Sequence, residues 1–225
     1  GIPYVLLIIL VVGTSYYQQR QVSARRTEGG SGWTIETTAG NREVDMVVNA
    51  AGAWGDEVAV RAGVEPVGLT PMRRTAFMVA SRSDDSPSWA MVHDAESTWY
   101  MKPDGPQFLC SPADETPSEP MDAKPMEIDV AIAIDRINTM TTMDIRSVQS
   151  SWAGLRTFTA DRSMVIGPDP EHPSFIWCVG QGGTGIQTSP AASQLVVDLS
   201  LGDGPSSIFD GVGLDLDGLT PERLR

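Results

Sequence analysis

The spacing of apolar and polar residues changes period several times along this chain. It opens on an almost unbroken apolar run, Tyr4 to Val12, whose β-branched residues suit a buried strand, or an aggregation-prone segment if exposed. Turn residues at 29–32 and 39–41 bracket a short strand, Trp33 to Thr38, and Asp45 to Asn49 reads as a buried strand that runs into the small residues Ala50, Ala51 and Gly52. Thr75, Phe77 and Val79 then alternate. Trp99 to Met101 and Gln107 to Leu109 flank the turn-forming Pro103-Asp104-Gly105-Pro106, so Arg73 to Ser111 predicts antiparallel strands. Four prolines make Ser111 to Pro125 a loop. Glu127 to Met143 carries two periods: Ile128, Val130, Ile132 and Ile134 alternate, whereas Val130, Ile134 and Ile137 suit one face of a helix. Pro125 near its start and its length favour the helix. Last, the apolar run Phe175 to Val179, a glycine-rich turn, and Ala191, Leu195 and Leu199 beside Ala192 and Val196 predict strand, tight turn and helix. The helix is entered at Thr184 or at Ser189-Pro190. No internal repeat is visible.

Composition narrows the class. With 225 residues, 41% apolar and 20% charged, the chain has enough material for one large or two small domains with a real core. A net charge of −13 without a basic cluster excludes a nucleic-acid partner. The apolar start is shorter than the roughly 18 to 20 residues of a spanning helix and lacks the basic flank and cleavage site of a signal peptide, so no membrane span is expected. Two isolated cysteines, Cys110 and Cys178, with only His93 and His172 to join them, predict reduced thiols in a cytoplasmic protein and no metal.

Gly180-x-Gly182-x-x-Gly185 satisfies the dinucleotide fingerprint, with Asp203 at the spacing of a ribose-binding acid. That fingerprint has meaning only inside a βαβ unit. After Gly202 the chain offers glycine, proline and aspartate and no apolar second strand, so the match is read as a decoy for a pyrophosphate site.

Five ordered segments carry a resemblance instead: Val47 to Trp54, Arg73 to Phe77, Trp99 to Asp104, Trp152-Ala153-Gly154-Leu155-Arg156, and Val179 to Thr188. Together they resemble the C-terminal portion of the FAD-dependent D-amino-acid oxidase (DAO) family, and within it D-arginine dehydrogenases, from about Gln21 to Leu224. The resemblance implies an α/β (α+β) fold: part of an FAD-binding Rossmann-like domain at 21–70 and 151–225, around an antiparallel substrate-binding sheet at 71–150. Residues 1–20 are then an aberrant apolar segment. The family's first strand, glycine turn and helix have no counterpart before Gln21, and with Gly1 in place of Met the chain is expected to be a fragment or the product of a misplaced gene start, catalytically incomplete by itself.

The implied cofactor is FAD and the implied reaction is oxidative deamination of a D-amino acid, such as D-arginine, by hydride transfer from Cα to flavin N5. Such chemistry needs a clamp on the α-carboxylate, and the planar fork of arginine supplies one. By resemblance Arg156 is that clamp, Tyr100 donates a hydroxyl to the same carboxylate, and Arg74 is a second arginine at the site. Arg73 points the opposite way if the strand is regular. Apart from the resemblance, Arg156 is as well placed for an ion pair with Asp161, and Tyr100 for sheet packing. Ala51 and Gly52 let backbone approach the cofactor. Gly182 and Gly183 lie against its ring, and Thr184, Gly185, Ile186 and Gln187 begin a helix whose N–H groups face the ring's electron-rich edge.

Two departures from the family matter. The acid that would recognise a cationic side chain has no counterpart here, and Thr184 stands where a tyrosine is expected. A glycine- or sarcosine-type amine oxidase of the same superfamily and a non-catalytic remnant are the alternatives. The residues do not decide between oxidase and dehydrogenase or fix the oligomeric state.

Overall fold

The computed structural model describes residues 7–9, 23–27, 32–37, 40–81, 88–202 and 204–225. Most of the apolar start, the turn residues 29–31 and 39, Thr38 at the end of the expected strand, and Asp203 lie outside them. The chain divides into two compact units, one built from residues 1–71 and 156–225, the other from 72–155.

The first unit begins with β1 (Leu7–Ile9), β2 (Ser23–Arg26), β3 (Trp33–Thr37), β4 (Gly40–Val44) and β5 (Val47–Asn49), followed by a short 3-10 turn, Gly52–Trp54, and α1 (Gly55–Ala62). Strands β2, β3 and β4 form an antiparallel sheet. The strand expected to begin at Asp45 starts two residues later.

The second unit holds most of β6 (Thr70–Ala80), then β7 (Val92–His93), β8 (Tyr100–Asp104), β9 (Gln107–Ser111), β10 (Thr116–Pro117), α2 (Glu127–Met140) and the first part of β11 (Ser150–Phe158). Its sheet runs β10-β6-β9-β8-β7, with β11 also paired to β6. Phe77, Val79, Met101, Phe108 and Cys110 line one face, against Ala133 and Ile137 of α2. The helical period in 127–143 therefore wins: Val130 and Ile134 pack on this core, while Ile128 and Ile132 are exposed. Burial pushes the Cys110 thiol up to about 12, so it is packing rather than a nucleophile. Cys178, in the first unit, is shifted up by burial as well, and both thiols are free.

The chain returns to the first unit at Arg156, within β11, and continues with β12 (Val165–Pro168), β13 (Phe175–Val179) and α3 (Gly185–Leu201). β13 pairs in parallel with β5, Trp177 opposite Asn49, in a sheet ordered β1-β5-β13-β12. Val47, Phe175, Trp177 and Val179 face the core shared with α1 and β3, whereas Val48 and Ile176 face Ala192, Leu195 and Val196 of α3. Burial on both faces explains why β13 is continuously apolar instead of alternating. No strand follows α3 among the described residues, so the βαβ context of the dinucleotide fingerprint is missing there.

Helix α3 begins at Gly185, the earlier of the two expected entries, and carries Pro190 inside it. Proline has no N–H for the carbonyl of residue 186. The Ser189 hydroxyl donates to that carbonyl at 2.9 Å and replaces the lost bond.

Candidate cofactor and substrate site

In the first unit the parallel pairing of β5 and β13 brings two of the glycine-bearing segments side by side. Both follow the carboxyl ends of their strands, where open α/β sheets bind ligands. On the β5 side, the buried Asn49 amide donates to the Gly55 carbonyl at 2.8 Å, and its side-chain oxygen accepts from the Ala51 N–H at 3.3 Å. Asn49 thereby ties the end of β5 to the start of α1 and shapes the Ala51-Gly52 turn. Gly52 has φ +56° and open space where a Cβ would stand. The sequence reading missed Asn49, although an asparagine that closes an apolar strand before small residues is a signal for such a local bond. Asn49→Ala is expected to lower stability by about 2 to 3 kcal/mol, since it leaves a buried donor and a buried acceptor unpaired. Denaturant unfolding checks this.

On the β13 side, Gly180 and Gly182 have φ +76° and +53°, and the Gly182 N–H donates to the Thr157 carbonyl at 3.0 Å, fastening the turn to the end of β11. A Cβ on Gly182 would lie 2.3 Å from the Phe158 ring. Arg162 in turn sits over that ring, 3.9 Å from its centroid. Phe158 and Arg162 are thus the support of the turn, and nothing in the sequence singled them out.

Arg156 reaches the same turn. Its guanidinium packs against Gly183, with Nη1 3.0 Å from where a Cβ would be. The carboxylate of Asp161, the alternative partner considered for Arg156, is held by Arg223 at 2.7 Å and drops far below the usual carboxylate range, chiefly through that bond. Beyond the turn, Thr184 caps α3 without a side-chain bond to the helix and donates instead to the Gln181 carbonyl. The N–H groups that open a helix have no intrahelical acceptor. Here they belong to Gly185, Ile186 and Gln187, with no acidic residue in the first turn and with the Ile186 side chain 95% exposed. Ala51, Gly52, Arg156 and 182–187 are therefore all placed on the first unit.

Arg74 and Tyr100 belong to the second unit. Met78 pairs with Leu109 and Lys102 with Leu109, while Tyr100 pairs with Ser111. By strand alternation Arg74, Met78, Tyr100 and Lys102 share the face opposite α2. Arg73 lies on the α2 face, 2.8 Å from Asp129. Strand geometry alone separates the two adjacent arginines. Among the described residues, no group of three or more metal-ligating side chains occurs, and no helix is long and apolar enough to cross a membrane.

Glycine turn, helix start and arginine at the carboxyl ends of parallel strands, together with a separate antiparallel sheet, define a mixed α/β protein of the cofactor-binding kind. The chain belongs to the FAD dependent oxidoreductase (DAO) family, which matches residues 12–199. FAD is the cofactor of that family. The chain is 26% identical over 178 residues to FAD-dependent oxidoreductase domain-containing protein 1 of Bos taurus, covering 71% of this chain and 36% of the relative. It is 27% identical over 189 residues to glycine oxidase of Geobacillus kaustophilus, covering 83% of this chain and 48% of the relative. The crystal structure of glycine oxidase from Geobacillus kaustophilus superposes with a TM-score of 0.74 at 24% identity, covering 89% of this chain and 51% of that one. The chain thus spans between about a third and a half of the length of these relatives. These relatives uphold the family; none of those named is a D-arginine dehydrogenase, so the finer resemblance expected from the sequence is not upheld.

Proposed function

We propose that this chain supplies the substrate-binding sheet and the ring side of the cofactor site in an FAD-dependent oxidoreductase acting on a small α-amino acid of the glycine type. The observation that carries the reading is the guanidinium of Arg156 seated on Gly183 at the head of the glycine turn. The turn fits a flat ring: Gly182 and Gly183 bring backbone forward without side chains, and the first N–H groups of α3 offer donors to an anionic edge. FAD, when bound, supplies the acceptor for the hydride that leaves the substrate Cα. Arg156 holds the α-carboxylate through two parallel hydrogen bonds, which orients Cα. On the substrate sheet, Tyr100 and Arg74 are read as donors to a carboxylate. Ala51 and Gly52 keep the neighbouring strand end free of bulk.

A glycine-type substrate, supported by the glycine oxidase relatives, needs no acid for a cationic side chain. The test compares glycine, sarcosine, D-alanine and D-arginine as substrates of the FAD-loaded full-length protein. Glycine or sarcosine is expected to show the highest kcat/KM. Preference for D-arginine would install the D-amino-acid reading in its place, and a flavin-bound protein inert to all four would be a binding domain.

A further inference from the structure

Arg74 is held from outside its own strand. Its Nε donates to the Asp114 carbonyl at 2.7 Å and its Nη2 to the Glu115 carboxylate at 3.0 Å. Both partners lie about forty residues away, between β9 and β10. Three further contacts pin that segment to β6. The Asp114 carboxylate accepts from the Thr75 N–H at 2.7 Å and from the Thr75 hydroxyl at 2.9 Å. The buried Ser111 hydroxyl donates to the Thr75 carbonyl at 2.6 Å and accepts from the Ala113 N–H at 3.0 Å. Ala113 itself is left-handed, φ +54°, a conformation that an alanine rarely adopts and that persists only where surroundings enforce it. The kink delivers the Asp114 carbonyl to Arg74 and the Asp114 carboxylate to Thr75. On the opposite face the neighbouring Arg73 spends its charge on Asp129 of α2 and stands 3.7 Å from the Asp114 carboxylate.

We propose that Asp114 and Glu115 are positioning residues for the substrate clamp: they fix one edge of the Arg74 guanidinium, so that its Nη1 end is presented to a carboxylate on the face that carries Tyr100. The proposal rests on the reading of Arg74 as a carboxylate ligand given above. An arginine side chain loses rotamer freedom when it clamps an anion, and holding Nε and Nη2 in advance removes that cost. Two bonds along one edge also fix the plane of the guanidinium, which a single bond does not. Glu115 offsets the positive charge as well, so its removal pulls in two directions: lost orientation weakens anion binding, while the lost negative charge strengthens it. The proposal commits to orientation as the larger effect.

The test measures the Kd of acetate, an amino acid's carboxylate without an oxidisable amine, from the flavin absorbance change in the FAD-loaded full-length protein. Glu115→Ala is expected to weaken acetate about tenfold, the equivalent of one charge-assisted hydrogen bond. Glu115→Gln keeps an acceptor for Nη2 and is expected to recover most of that loss. The KM for substrate should follow the same order with kcat little changed. Tighter or unchanged acetate binding in both variants, with melting temperatures equal to the unaltered protein, overturns the positioning role. Arg74→Ala separates this from the underlying reading. If Arg74→Ala leaves acetate unaffected, Arg74 is not a carboxylate ligand and both ideas fall. If it weakens acetate and Glu115→Ala does not, only the positioning role falls.

Discussion

Arg156→Ala raises KM for the amino acid by the equivalent of about 2 to 4 kcal/mol, roughly thirtyfold to a thousandfold, when measured by steady-state kinetics on the FAD-loaded full-length protein. The reason is geometric as much as electrostatic. The guanidinium lies close against Gly183, its Nη1 3.0 Å and its Cζ 3.1 Å from where a Cβ would be, so a side chain at residue 183 would displace it. A planar fork held that way meets a carboxylate edge-on through two N–H groups. Arg156→Lys keeps the charge and loses the fork, so it is expected to recover only part of the loss. An unchanged KM in the alanine variant would remove Arg156 from the substrate site and with it the observation on which the proposed function leans.

The second large effect is expected at Gly182. Alanine there meets the Phe158 ring at 2.3 Å and must also hold φ +53°. The left-handed backbone costs about 1 to 2 kcal/mol and the overpacking about 1 to 3 more. Gly182→Ala should therefore destabilise by about 2 to 5 kcal/mol and, by moving Phe158 or opening the turn, weaken FAD binding. Gly52→Ala is the internal control. Its φ of +56° is nearly the same, yet nothing stands within 4 Å of the added carbon, so only the backbone cost applies. The difference between the two variants in denaturant unfolding isolates the Phe158 contact. Equal losses would show that this contact does not define the turn.

Much of this arrangement was legible from residue spacing because short elements with strong local signals decide themselves. Phe175 to Val179 forms the buried strand its apolar run predicts, and the turn expected over Pro103 to Pro106 narrows to Gly105-Pro106, with Pro103 and Asp104 paired within β8. Glu127 to Met143 was ambiguous for a physical reason. Four apolar residues alternate there because two of them, Ile128 and Ile132, are not used by the core, while Ala133, too small to register as apolar signal, is fully buried. Strands β2, β4, β11 and β12 escaped notice because each is short, polar, or interrupted by glycine, and each acquires its identity from a partner strand. β4 pairs with β3 and β12 with β13 along their whole lengths.

The candidate site divides in the same way. The resemblance carried by ordered segments put forward Arg156, Tyr100, Arg74 and the two glycine-bearing segments as candidates, and clamp chemistry and close backbone approach give the physical reason for an arginine and for glycines there. Alternation along one strand was enough to send Arg73 and Arg74 to opposite faces. What the sequence alone could not contain is who meets whom across long separations. Gly183 under Arg156, Phe158 against Gly182, and Asp114 and Glu115 on Arg74 are contacts between segments far apart in the chain. Such pairings are fixed only when strands align in register and the core closes. Local periodicity determined the elements with strong apolar patterns and which way their side chains point; tertiary packing decided the weakly patterned strands, which glycine an arginine rests on and which carboxylate holds its neighbour.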